Sequence, residues 1–237
     1  MQAMIFAAGL GTRFKPWTDR HPKALAVING KSLLQRNIEY LQRYGIRKVV
    51  VNVHHFADQI ENAIRENDGW GSEVRISDER SQVLETGGGL KQAAPLLAGQ
   101  RTLLLNVDIL TDLDLGRLIR FHEAEQPLAT LAVTGRSSSR QFLFNDTMTL
   151  CGWRNNQTGQ ERISRQESAL QPKAFSGIHL IEPGLPDLIE ETGKFGIVDL
   201  YLRLATRETI KGFDHSGSRF IDVGKPEAVA TAESLFP

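Results

Sequence analysis

The chain has 237 residues, of which 41% are hydrophobic, and this is enough to form one large α/β domain with its own core. Its 28 basic residues balance 28 acidic ones, which excludes a general electrostatic attraction to nucleic acid or to an anionic membrane. One cysteine, Cys151, allows neither an internal disulfide nor a paired-cysteine zinc site, and the apolar run at residues 3–8 is too short for a membrane span or a signal peptide. We therefore expect a reduced, cytoplasmic protein.

The first half of the chain alternates strand and helix patterns. Residues 4–7 form an apolar run that ends in glycines and predicts a buried strand. Residues 32–44 predict a helix, because Ser32 and Gln35 have the spacing of a capping box and Gly45 is placed to end it. Further strands are predicted over residues 48–53, 74–77, 102–106 and 128–133, and further helices over residues 58–66, 90–97 and 113–124. This order predicts a Rossmann-like α/β fold with a mixed, mainly parallel sheet, helices on both faces and ligands at the carboxyl ends of the strands.

The pattern changes between residues 137 and 171, where short apolar pairs alternate with polar stretches. We interpret this segment as a small β-rich insertion for substrate binding, within a single domain that spans residues 1–237. The apolar run at residues 174–181 predicts a return to the core sheet. After it, the sequence predicts a helix over residues 200–205, a strand over 219–223 and a closing helix over 227–235.

A glycine-rich turn follows the first predicted strand. Gly9 and Gly11 allow the backbone to approach a polyphosphate and to direct N–H groups at it. Arg13 offers a bidentate phosphate contact, and Lys23 adds a compact positive charge. The turn is neither a Walker A loop nor a dinucleotide-binding fingerprint. By its residues alone, it is either a polyphosphate-binding loop or a tight turn that carries two solvated cations.

Three consecutive glycines, Gly87 to Gly89, precede the helix predicted over residues 90–97. Backbone without side chains admits a flat nucleobase, whose edge the peptide groups then read. The segment is therefore either a nucleobase-binding loop or a flexible start of a helix.

Two aspartates are placed for metal binding. Asp108 follows the strand predicted over residues 102–106, and a carboxylate at the carboxyl end of a central strand is a hard-oxygen ligand for Mg²⁺. Asp222 lies between two apolar residues in a predicted strand. A lone aspartate is most often a turn or surface residue, but one in an apolar strand requires a partner or a cation. We interpret Asp112 and Asp114 as the start and cap of the helix that follows.

Four segments together carry a resemblance to a known family. F-A-A-G-L-G-T-R-F-K-P-W-T, from Phe6 to Thr18, followed by P-K-A at residues 22–24, resembles the signature of the sugar-1-phosphate nucleotidyltransferases. L-E-T-G-G-G at residues 84–89 is similar to the form found in N-acetylmuramate-1-phosphate uridylyltransferases of bacterial cell-wall recycling. F-I-D-V-G at residues 220–224 and F-S-G-I at residues 175–178 resemble two further family segments. The chain departs from the family at Ala24, where a proline is usual, and at Val107, where a glycine is usual.

The resemblance implies that a nucleoside monophosphate is transferred from an NTP to a sugar 1-phosphate. It implies Mg²⁺ at Asp108 and Asp222, and it makes Arg13, Lys23 and Asp108 the catalytic residues. The form of the glycine segment favours UTP and N-acetylmuramate 1-phosphate as substrates. The resemblance puts the nucleotide at Ala8, Gly9, Gly11, Thr12, Arg13, Lys23, Glu85, Thr86, Gly87 and Gly88, and the sugar at Asn106, Ser176, Gly177, Glu161 and Asp199.

Two kinds of alternative stay open. One keeps the fold and changes the substrates, as in a mannose- or heptose-1-phosphate guanylyltransferase or a choline-phosphate cytidylyltransferase. The other is a catalytically silent, nucleotide-binding regulatory subunit, which the departures at Ala24 and Val107 favour. The joint presence of the two cations and the two aspartates opposes it.

Overall fold

The computed structural model of the protein describes residues 1–97 and 99–237. Its strands are β1 (Gln2–Phe6), β2 (Val27–Ile28), β3 (Lys31–Ser32), β4 (Lys48–Val53), β5 (Glu73–Asp78), β6 (Thr102–Asn106), β7 (Ile109–Thr111), β8 (Ala129–Thr134), β9 (Arg140–Phe144), β10 (Leu150–Asn155), β11 (Glu161–Ile163), β12 (Gln171–Ile181), β13 (Ile210–Asp214) and β14 (Phe220–Asp222). Its α-helices are α1 (Leu33–Gln42), α2 (Ala57–Glu66), α3 (Glu85–Leu97), α4 (Leu115–Glu125), α5 (Ile197–Leu204) and α6 (Ala228–Leu235).

The central sheet confirms the predicted fold class. Its strands follow the order β11-β10-β9-β12-β6-β1-β4-β5, and β8 and β13 continue it from a second edge of β12. Strands β6, β1, β4 and β5 are parallel to one another, as are β8 and β13. The long strand β12 runs antiparallel to both β6 and β8. The carboxyl ends of β1, β4, β6 and β8 therefore meet at one edge of the sheet, which we call the carboxyl edge.

Apolar side chains cover both faces of this sheet. Side chains alternate across a strand, so Ala3 and Ile5 of β1 pack into one cluster while Met4 and Phe6 pack into another. The first cluster is closed by α1, α2, α4 and α6, and the second by α3 and α5. Because β1 is buried on both faces, its sequence is a continuous apolar run rather than an alternating one.

The predicted helix caps are confirmed with one difference. The Ser32 hydroxyl accepts a hydrogen bond from the Gln35 backbone N–H at 3.1 Å, and Asp114 caps α4. The Gln35 side chain bonds to Glu39, so the capping box is formed on one side only. Helix α1 ends at Gln42, and Gly45 follows it with a φ of 74°, the conformation that favours glycine.

Residues 137–171, predicted as an insertion, contain β9, β10 and β11, which pair antiparallel; the role of this segment in substrate binding stays a prediction. Strand β13 has no counterpart in the sequence prediction, because its five residues include a lysine, a glycine and an aspartate and therefore show no apolar pattern. Its formation depends on parallel pairing with β8, about eighty residues earlier in the chain. Within residues 1–97 and 99–237, no helix has both the length and the apolar character to cross a membrane.

Candidate active site

The glycine-rich turn lies at the carboxyl end of β1. Gly11 has a φ of 60°, and a Cβ atom added there would lie 2.8 Å from Cγ2 of Thr18. The Thr18 hydroxyl donates to the Gly11 carbonyl at 2.9 Å, and a short 3₁₀ helix at Thr12–Phe14 follows. The turn therefore requires glycine at this position and leaves Arg13 exposed at the carboxyl edge.

A buried polar pair supports the start of the same turn. Asn52 interrupts the apolar strand β4, and its Oδ1 accepts the Ala7 backbone N–H at 2.7 Å. Its Nδ2 donates to Oε1 of Glu79 at 2.7 Å, and both side chains are almost fully buried. Burial raises the pKa of the Glu79 carboxyl, and the hydrogen bonds from Asn52 and from the Leu84 backbone oppose that rise. The Asn52–Glu79 pair therefore fixes the position of the turn through the backbone of Ala7.

Lys23 and Asp108 meet across the cleft. The Lys23 ammonium forms an ion pair with the Asp108 carboxylate, and both side chains are largely shielded from solvent. The two departures from the family pattern are accommodated. Ala24 is buried within a 3₁₀ helix at Lys23–Leu25, and the Val107 backbone bonds to the carbonyl of Phe6 through its N–H.

Asp222 lies beside Asp108 because two short strands pair. Strand β14 runs antiparallel to β7, and the Val223 N–H donates to the Asp108 carbonyl at 2.8 Å. Asp222 is exposed in a depression that it shares with Arg13. Desolvation of its carboxyl, followed by the negative charge of Asp108, raises its pKa, while Lys23 and Arg13 lower it. The four charged groups predicted from separate segments thus form one cluster.

The start of helix α3 forms another wall of the candidate site. The sequence predicts this helix from residue 90, but it begins at Glu85, so the prediction of its start was wrong. Glycine has a low helix propensity, yet here the glycines allow close packing. A Cβ on Gly87 would lie 2.4 Å from the Phe195 ring, and one on Gly88 would lie 2.5 Å from the Gly193 carbonyl oxygen. Lys194, on the same segment, forms an ion pair with Glu85 at 3.4 Å.

These elements enclose a cavity of about 460 Å³ at the carboxyl edge. Most of the residues predicted for the nucleotide line it, namely Ala8, Gly9, Gly11, Thr12, Arg13, Lys23, Glu85 and Thr86, together with Asn106 and Asp108. Gly87 and Gly88 are buried beneath this wall. Asp222 lies in an adjoining depression with Arg13 and Gly224.

The residues predicted for the sugar fall into two groups. A Cβ on Gly177 would lie 2.8 Å from Nδ2 of Asn106, and Ser176 is buried next to it, so these three lie together. Glu161 is exposed on strand β11, and Asp199 forms an ion pair with Arg162. Of the five residues only Asn106 lines the cavity, and the role of all five in sugar binding stays a prediction.

Among the residues that line the cavity, three with polar or charged side chains were not assigned to the site by the sequence analysis, namely Asn52, Glu79 and Lys194. A signal existed for Asn52, which is the one polar residue among the valines of residues 49–53. No comparable local signal marks Glu79 or Lys194, because each reaches the cavity through contacts with a distant segment.

Two buried histidines, His179 and His215, have lowered pKa values. Burial lowers the pKa of His179 to about 3, and its ring bonds to the Tyr201 hydroxyl. Burial, followed by the positive charge of Arg136, lowers the pKa of His215 to about 4. His215 Nε2 lies 2.7 Å from the Ser176 hydroxyl. Both rings are therefore uncharged at neutral pH.

Fold and site together are those of an α/β nucleotidyltransferase. Residues 2–142 match the family described as Nucleotidyl transferase. This is more than half of the chain, which therefore belongs to that family, as its sequence motifs predicted.

Relatives of similar length are found in two bacteria. The chain is 32% identical to N-acetylmuramate alpha-1-phosphate uridylyltransferase of Caulobacter vibrioides, over 98% of this chain and 95% of the relative. It is also 32% identical to the protein of the same name from Neisseria meningitidis serogroup B, over 99% of this chain and 98% of the relative. Among solved structures, HddC from Yersinia pseudotuberculosis complexed with GMP-PN has a TM-score of 0.79 at 22% identity, over 100% of this chain and 99% of the other. That likeness supports the fold.

Proposed function

We propose that this chain transfers a nucleoside monophosphate from an NTP to a sugar 1-phosphate, with UTP and N-acetylmuramate 1-phosphate as its substrates. The observation that carries the proposal is the convergence of Arg13, Lys23, Asp108 and Asp222 at one end of a nucleotide-sized cavity. The names of the two full-length relatives support the choice of substrates. We keep the cytoplasmic location as a prediction that follows from the sequence.

The reaction is an in-line displacement at the α-phosphorus of the NTP. An oxygen of the sugar phosphate forms a bond to that phosphorus, and the bond to the bridging oxygen of the β-phosphate breaks, so pyrophosphate leaves. A phosphate nucleophile is already ionised at neutral pH, and no general base is needed. The barrier is therefore one of charge and alignment. Arg13 neutralises the departing pyrophosphate, and Lys23 holds the α-phosphoryl oxygens.

The acidic pair fits a magnesium ion completed by substrate. Among the described residues, no group of three or more metal-ligating side chains occurs. Mg²⁺ is usually held by one or two carboxylates together with substrate phosphates, and Asp108 and Asp222 supply that number. After burial, the negative charge of Asp108 also raises the pKa of Asp222, and a cation bound between the two carboxylates would relieve this repulsion. When bound, Mg²⁺ would neutralise charge on the reacting phosphates.

GTP is the second candidate donor, and the position of Glu79 favours it. This carboxyl lines the cavity close to the start of α3. A carboxylate accepts hydrogen bonds, and the guanine base carries an N2 amino group that donates them. Uracil offers a single ring N–H donor, so a Glu79 carboxylate facing the base would prefer guanine.

Pyrophosphate release over a panel of substrates tests the proposal. UTP, GTP and CTP are each combined with N-acetylmuramate 1-phosphate, mannose 1-phosphate and choline phosphate, with and without Mg²⁺. Release with UTP and N-acetylmuramate 1-phosphate that requires Mg²⁺ is expected. Pyrophosphate release only with choline phosphate would contradict the proposal and indicate a choline-phosphate cytidylyltransferase. Nucleotide binding without release on any acceptor would make the chain a regulatory subunit.

Replacing one acid tests the assignment of the site. Asp108→Asn should lower turnover by at least about 10²–10³, the loss typical of one removed transition-state contact. Asp146 is an exposed aspartate in the insertion, and Asp146→Asn is the matched control that should leave turnover unchanged. Normal turnover in Asp108→Asn, with its fold intact by circular dichroism, would contradict the assignment.

A further inference from the structure

Arg136 follows strand β8 at the carboxyl edge of the sheet. Strands β6 and β8 run in the same direction, because both are antiparallel to β12. The end of β8 therefore lies on the same side as Asn106, the last residue of β6, which lines the cavity. In the register of the sheet, Thr134 faces Ala174, so Arg136 adjoins the strand segment that leads to Gly177.

Hydrogen bonds from Nη1 and Nη2 hold the Arg136 guanidinium in place. Nη1 donates to the Thr134 hydroxyl at 2.8 Å and to the Ala174 carbonyl at 3.3 Å. Nη2 donates to the Phe175 carbonyl at 2.7 Å, and the guanidinium carbon lies 4.4 Å from the centre of the Phe220 ring. These contacts fix the orientation of the planar group.

Three of the five guanidinium N–H donors are used by these bonds. The two that remain are the Nε–H and the second N–H of Nη2, which lie in the guanidinium plane along one edge of the group. Within the described part of the chain, the buried side-chain nitrogens without a partner are Arg75 Nε and His215 Nδ1, so Arg136 Nε, which makes no hydrogen bond there, keeps access to solvent. This pair of parallel donors, which we call the open fork, has the geometry that binds an oxyanion side-on.

The charge of Arg136 is also poorly compensated. The group is half-buried, and this burial lowers its pKa while the charge of Asp222 raises it. Among residues 1–97 and 99–237, no carboxylate lies within the 4.0 Å of an ion pair with it. A partly desolvated cation without such a partner is unfavourable in the free protein. A ligand oxyanion would compensate it.

We propose that the open fork of Arg136 binds an oxyanion of the acceptor sugar phosphate, and this inference rests on the proposed function. The oxyanion is either the 1-phosphate itself or a carboxylate carried by the sugar. Three observations support the acceptor rather than the NTP. Arg136 adjoins Ser176 and Gly177 through the carbonyls of residues 174 and 175, it lies within range of the charge of Asp222, and it does not line the nucleotide cavity.

Direct binding of two acceptors tests the inference without requiring turnover. Calorimetric titrations would use N-acetylmuramate 1-phosphate and N-acetylglucosamine 1-phosphate, which lacks the lactyl carboxylate, in the presence of a non-hydrolysable UTP analogue and Mg²⁺. The variants are Arg136→Met, which removes the fork, and Arg136→Lys, which keeps the charge only. Arg165 is a matched control, because it is also half-buried and donates to two backbone carbonyls away from the cavity, and Arg165→Met should leave both affinities unchanged.

Arg136→Met should weaken acceptor binding roughly tenfold to a hundredfold, with the affinity for the UTP analogue unchanged, and Arg136→Lys should recover part of the loss. Weaker binding of both acceptors identifies the 1-phosphate as the ligand oxyanion, whereas weaker binding of N-acetylmuramate 1-phosphate alone identifies the carboxylate. Equal affinities of wild type and Arg136→Met for both acceptors, or no acceptor binding to the wild type, would overturn the inference. Arginine-dependent binding without pyrophosphate release would instead leave the inference standing and remove the proposed function.

Discussion

Asn52→Ala would remove the side chain that links the start of the glycine-rich turn to Glu79. The substitution removes the acceptor of the Ala7 N–H and the donor to Glu79, two hydrogen bonds of 2.7 Å each between buried groups. An unsatisfied buried N–H costs about 1–3 kcal/mol, and a lost bond to a charged group costs about 1.5–3 kcal/mol. Because water can partly fill the space left by the side chain, we expect a loss of about 3 kcal/mol in the free energy of unfolding.

The same substitution should make stability depend more steeply on pH. The pKa of Glu79 is already raised by burial, and the Asn52 bond opposes that rise, so its removal raises the pKa further. An acid with a raised pKa in the folded state contributes stability at low pH that is lost as pH rises through the folded pKa. The loss caused by Asn52→Ala should therefore be larger at pH 8 than at pH 4.5.

Urea unfolding followed by circular dichroism at both pH values measures this difference. Glu79→Gln provides the control background, because an amide does not titrate and the effect of Asn52→Ala should there be equal at the two pH values. A loss below about 1 kcal/mol, as for an ordinary neutral hydrogen bond, would refute the account of the buried pair. A loss that does not change with pH would refute the part played by the Glu79 carboxylate.

Three further predictions concern stability. Gly87→Ala should destabilise the fold by at least about 1–3 kcal/mol, the usual effect of overpacking, because its Cβ would lie 2.4 Å from the Phe195 ring. The control is Gly184→Ala, whose Cβ would meet no atom within 4 Å. Equal melting temperatures of the two variants would count against the packing of Gly87 on Phe195. Ser32→Ala should cost about 1 kcal/mol by loss of the α1 cap, measured by urea unfolding, and no change would show that the bond to the Gln35 N–H contributes nothing. The free energy of unfolding should fall as pH drops from about 6.5 towards 4, because histidines with lowered pKa values, such as His179, stay neutral in the folded state and take up protons in the unfolded state. His179→Gln should reduce the dependence of the unfolding free energy on pH. An unchanged dependence would contradict the lowered pKa of His179.

The sequence by itself determined the family, the fold class and the segments that carry charge. These features are local. A glycine turn after an apolar strand, a capping serine such as Ser32 and an aspartate at a strand end such as Asp108 each depend on residues that are close in the chain. Their spacing is therefore readable without knowledge of the fold.

Only the tertiary structure decided which distant segments meet. The sheet order brings Glu79 under the turn through Asn52, and the pairing of β14 with β7 brings Asp222 beside Asp108. The same packing buries Gly87 against Phe195, a contact that the glycine run alone did not indicate. Contacts of this kind depend on strand order and helix packing, and their free energy comes from groups far apart in the chain. No local pattern therefore encodes them.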